Sequence, residues 1–258
     1  MRYMSGVAVA AALAGLLNAM PATAGQGRPG GPGGPGGPGG PGGPGGPGGD
    51  AARVVANGGI TVPGWTGKID AAEEKAGQVL NNARLAPEGN NGLHVTTGPA
   101  TTYWNPANKA TGNYTVKATF TEPMYMNLNN HPHPYGIMIG GNDLGTDTQS
   151  YVYCAAYGNG TFIVRGMGPA PFQMGGRMPT PNDAVHKAPA PGQPVTQEIA
   201  MTVTDSSVDC AINGKVVASY PKSELITAGK MKSTDGIYGI RFAHNTDATV
   251  SGLTMTKQ

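Results

Sequence analysis

The sequence predicts an all-β chain: an antiparallel jelly-roll β-sandwich, preceded by a signal peptide and a Gly/Pro spacer. Three observations predict it. Short runs rich in Thr, Val, Tyr and Ile alternate apolar with polar residues. Clusters of Gly, Asn and Pro separate those runs. Helical periodicity is confined to 70–76 and 222–226, each no longer than a surface turn.

Taken from the N-terminus, residues 1–24 read as a signal peptide. Arg2 precedes an apolar run from Val7 to Leu17, and Ala22-Thr23-Ala24 supplies the small residues of a cleavage site. That run is too short to span a bilayer, and no later stretch is long and apolar enough to do so. Residues 25–50 form a spacer, with Gly-Gly-Pro triplets from Pro29 to Gly49 that lack the varied second and third residues of collagen. The expected location is periplasmic or extracellular.

Residues 51–258 suffice for one well-buried domain. In 113–122, Tyr114, Val116, Ala118 and Phe120 share one face while Thr115, Lys117, Thr119 and Thr121 share the other, as a half-buried strand requires. Strands are likewise expected over 78–85, 92–97, 135–140, 150–157, 161–165, 198–204, 207–212, 215–220, 236–244 and 248–256. Asn213-Gly214 marks a type I′ hairpin, and Gly158-Asn159-Gly160 a second turn. The stretch 166–194, heavy in Pro, Gly and Met, reads as a long loop.

Cys154 and Cys210 each fall in phase with apolar neighbours of an alternating strand, and export favours their pairing as a disulfide over two buried thiols. A net charge of +2 from scattered Lys and Arg gives no electrostatic footprint for nucleic acid.

The order of segments resembles the concanavalin A-like sandwich domains described as 3-keto-disaccharide hydrolase-like. The resemblance rests on Gly64-Trp65-Thr66-Gly67, the run Tyr135 to Leu144, Gln149 to Tyr153 with Gly160 to Arg165, Val208 to Val217, and Gly236 to Phe242. It implies a jelly roll that holds or acts on extracellular saccharides, including cell-envelope glycans, and assigns no catalytic residue here. Glucanases on this sandwich need paired carboxylates at alternate strand positions, a spacing this sequence lacks.

The leading function is therefore carbohydrate binding, with a glycoside hydrolase or a surface or matrix protein as alternatives. Trp104, Tyr135, Arg165 and His244 are candidate ligand contacts, because aromatic faces stack on sugar rings and polar side chains bind hydroxyls. Asn142, Asp143 and Asp147 offer hard oxygen ligands suited to calcium, against the alternative of an Asx-rich turn. His131 and His133, beside Met124 and Met126 and followed by Met167, Met174, Met178 and His186, offer a copper set; methionines also fill cores without a ligand. Oligomeric state is not encoded in any of these patterns.

Overall fold

A computed structural model describes residues 53–126 and 130–258. The expected signal peptide and spacer lie outside those residues. Among the described residues no helix is long and apolar enough to cross a membrane.

The strands are β1 (Gly59–Ile60), β2 (Thr66–Ile69), β3 (Ala83–Glu88), β4 (Gly92–Thr97), β5 (Thr101–Ala110), β6 (Tyr114–Glu122), β7 (Tyr135–Asn142) and β8 (Ser150–Tyr157). They continue as β9 (Thr161–Met167), β10 (Phe172–Gln173), β11 (Thr180–Pro181), β12 (Val195–Val203), β13 (Ser207–Ile212), β14 (Lys215–Pro221), β15 (Gly236–Phe242) and β16 (Asp247–Lys257). Two short helices, α1 (Ala71–Lys75) and α2 (Lys222–Leu225), fall where the weak helical patterns placed them.

Sheet I runs β1-β3-β4-β16-β6-β12-β13-β14, and sheet II runs β10-β9-β8-β7-β15-β5-β2, with β11 also on β9. Neighbours such as β16 and β6, or β7, β15 and β5, are far apart in sequence, so the chain crosses between sheets as a jelly roll does. Every pairing is antiparallel except the two-residue contact of β1 with β3.

Alternation positions the core. Tyr114, Val116, Ala118 and Phe120 of β6 are buried, while Thr115 and Thr121 on the opposite face pair their hydroxyls with Thr202 and Thr196 at 2.8 and 2.9 Å. Phe120, Tyr135 and Phe242 meet between the sheets with ring centroids 5.6 to 6.2 Å apart. Cys154 of sheet II and Cys210 of sheet I are joined as a disulfide across that core.

Three expectations change. The segment 101–110 is a ten-residue strand that the sequence pattern missed, because Asn105, Pro106 and Asn108 interrupt its alternation. Its pairing with β15 shifts register between Ile237 and Gly239, and the proline falls in that irregular stretch, where no ladder hydrogen bond is demanded of it. Strand β3 begins at Ala83, after a 3-10 turn over Leu80–Asn82, and not at 78. The segment 166–194 is no structureless loop. It contributes β10 and β11 to β9, buries Val185, and is held by Gln197, whose amide bonds both the N–H and the carbonyl of His186.

Candidate functional site

Register fixes which side chains share a face of sheet II. Val164, Cys154, Ile137, Ile240 and Tyr103 lie opposite one another along successive strands and point into the core. One residue further on, the row Arg165, Tyr153, Met138, Gly239, Trp104 and Thr66 must point to the outward face. A neighbouring outward row holds Ile163, Ala155, Gly136, Arg241, Thr102 and Lys68. Trp104, Met138, Tyr151, Tyr153, Tyr157 and Ile163 form an apolar cluster separate from the core.

The polar members of this face are tied together. Arg241 pairs with Asp70 at 2.5 Å, donates to Thr102 Oγ1 at 3.2 Å, and lies 5.6 Å from the centroid of the Tyr153 ring. Thr102 in turn shares a 2.8 Å hydrogen bond with the Tyr151 hydroxyl. Burial raises the Tyr151 and Tyr153 hydroxyls above the ordinary tyrosine range, so both stay protonated and act as neutral donors. Arg165, also buried, donates from Nη2 to the carbonyl of Arg177 at 2.9 Å, yet its Nε finds no partner among the described residues. A buried guanidinium N–H without an acceptor is costly unless something supplies one.

At the β2 edge of this face lies an open depression of about 430 Å³, lined in part by Lys68, Glu74, Gln78 and Gly145. Lys68 donates to the Gly145 carbonyl at 3.4 Å, joining the depression's two sides.

Trp104 and Arg165, expected as ligand contacts, thus share one outward row. Tyr135 does not join them. It is fully buried in the core, stacked on Phe120, because its position in β7 is in phase with Ile137 and Ile139.

His244 lies elsewhere again, with His131 and His133. In the β7–β15 ladder Tyr135 is opposite Phe242, so His133 and His244, two residues beyond each, face one another. The hydrogen bond from Ala243 N to the Pro134 carbonyl, 2.9 Å, extends the ladder to hold them so. Ring centroids are 4.4 Å apart for His131 and His133 and 4.5 Å for His133 and His244. One ring nitrogen from each of the three lies within 4.8 Å of the others. Desolvation, then the charges of His244, His131 and Arg53, push His133 down to about 2, so it is a neutral imidazole.

The sequence paired His131 and His133 but set His244 apart as a sugar contact, since strand register across 110 residues is invisible in a linear pattern. Met174, Met178 and His186 of the expected set are engaged otherwise. Met174 Sδ accepts from Lys230 Nζ at 3.4 Å, Met178 is exposed, and His186 bonds the Thr196 carbonyl.

The oxygen-rich turn after β7 spends its groups locally. Asn142 donates to the Gly140 and Asp235 carbonyls, Asp143 pairs with Lys232, and Asp147 lies 4.0 Å from Lys68. Its two carboxylates are directed to different lysines, Lys232 and Lys68.

No protein-family model and no curated protein matches the chain. Among solved structures it is similar to a protein of unknown function with a galectin-like fold from Bacillus subtilis, at 12% identity over 75% of this chain and 89% of that one, TM-score 0.46. It is also similar to a glycoside hydrolase family 16 endo-glucanase from Bacteroides ovatus, at 9% identity over 74% and 94%, TM-score 0.46. A third similarity is to the carbohydrate-binding module CBM66 from Bacillus subtilis, at 9% identity over 77% and 98%, TM-score 0.39.

Proposed function

We propose that this chain is an exported saccharide-binding β-sandwich whose ligand face is the outward face of sheet II. The observation that carries the reading is Arg165: a buried guanidinium whose Nε lacks an acceptor among the described residues, in one register row with Tyr153 and Trp104. Aromatic faces stack on the C–H faces of a sugar ring, and guanidinium and phenol donors bind its oxygens. Trp104, Tyr153, Arg165 and Arg241, each buried, stand together on the face of sheet II turned away from sheet I. The resemblance to 3-keto-disaccharide hydrolase-like domains supports the same ligand class.

Calorimetry of the purified protein against neutral and uronate-containing oligosaccharides, cell-envelope glycans included, tests it. At least one saccharide should bind, and Arg165→Gln and Tyr153→Ala should each weaken that binding tenfold or more. A folded protein that gives no heat with any of them, or binding that ignores both substitutions, overturns the proposal.

A further inference from the structure

We propose that His131, His133 and His244 form a binding site for one divalent late-transition-metal ion, with three imidazole nitrogens as ligands and a fourth position left for water or an exogenous ligand.

The chain has five histidines, and three of them converge on one point. Their convergence is built by two structural devices. The ladder of β7 with β15 places His133 opposite His244. Residues two apart in a regular strand share a face but lie about 7 Å apart along it, whereas across Pro132 the rings of His131 and His133 close to 4.4 Å.

The dimensions suit a metal. For three nitrogens no more than 4.8 Å apart, a point central to them lies at most about 2.8 Å from each, and an imidazole–metal bond is about 2.0–2.1 Å. Closing that gap takes a shift of about 0.7 Å per ring, within the reach of χ2 rotations. His133 is buried and supplies the fixed ligand, while His131 and His244 are half-buried and supply adjustable ones.

The donor set selects the metal class. Three imidazole ligands favour zinc, copper, nickel or cobalt over calcium or magnesium, which take oxygen ligands, with copper(II) held more tightly than zinc. Arg53 adds positive potential at His133, and Asp247, 3.8 Å from the Arg53 guanidinium, offsets part of it. This site stands on different residues from the sugar face and does not depend on that reading.

The test uses the full chain, prepared without a polyhistidine tag and stripped of metal, titrated with Co²⁺ followed by absorption and with Zn²⁺ followed by calorimetry. One equivalent of each ion should bind, with visible cobalt bands of a nitrogen-ligated, low-coordinate site. His131→Ala and His244→Ala should each weaken binding at least tenfold, while His186→Ala, on the β12 side of the fold, should leave it unchanged. Because both substituted positions are half-buried, thermal unfolding will show these variants folded, and zinc should raise the midpoint of the wild type but not of either variant. Absence of binding at hundred-micromolar metal, or one-equivalent binding that survives both substitutions, overturns the proposal.

Discussion

Cys154 and Cys210 lie 6.0 Å apart at their Cα atoms and bond β8 of sheet II to β13 of sheet I, so the two layers of the sandwich are linked covalently through their shared core. Both sulfurs sit among residues such as Ile137, Val164, Ile199 and Ile212 that exclude water from the bond.

The first prediction concerns that link. With the cysteines 56 positions apart in sequence, the loss of unfolded-chain entropy corresponds to about 4 kcal/mol. Cys154→Ala with Cys210→Ala should lower the unfolding midpoint by roughly 8–16 °C, and reductant should lower that of the wild type but not of the double variant. Unfolding curves that coincide with and without reductant would rule out a structural role for the bond.

The second concerns Asp70 and Arg241. The guanidinium is buried on the outward face of sheet II, and Asp70, just before α1, is its carboxylate partner at 2.5 Å. Removing one member strands a desolvated charge, so Asp70→Asn should cost about 3 kcal/mol of stability. Arg241→Met in addition should restore much of that loss, because no unpaired charge then remains. If the double variant is instead destabilised by the full sum of the two single changes, the residues do not act as a pair.

Much of the architecture is legible in the sequence because a period of two is a local signal. The bounds of β4, β8 and β13 coincide with their alternating runs, and Asn213-Gly214 does turn with positive φ at both positions, 49° and 79°. Strand β5 escapes because Pro106 and its polar neighbours obscure the alternation, and it carries Trp104. The site is less legible for a related reason. Trp104 and Arg165 can be suspected singly, but their common row depends on the order β9-β8-β7-β15-β5, and the same β7–β15 pairing is what unites His133 with His244. Tyr135 looks like a strand-end aromatic in sequence, and only the phase of β7 relative to the opposite sheet turns it inward.

The third prediction is a pH dependence isolated by one substitution. Glu122 ends β6 with its carboxyl buried, and desolvation raises it from 4.5 to about 7 against the opposing effects of the Met126 backbone N–H and Arg53. Between those two pH values the folded chain keeps a proton that the unfolded chain has released, so Glu122 lowers stability as pH rises from about 4.5 to about 7. The full change is on the order of 3 kcal/mol. His94 acts in the same direction: its hydrogen bond to Asp247, 2.7 Å, raises its pKa, and the resulting stability is present below the ordinary histidine value and lost as pH rises through the higher folded one. His133 acts oppositely, since a histidine kept neutral by burial loses stability as pH falls below about 6.5. The wild-type curve, measured by denaturant titration in chelator, should therefore be shallow between pH 4.5 and 6.5. Glu122→Gln removes one of the opposing slopes and should leave stability rising with pH over that range, by about 1 kcal/mol per unit relative to wild type. Parallel curves for the two proteins would mean that Glu122 is already ionised in the fold at low pH, and that its burial is compensated by a partner stronger than Arg53.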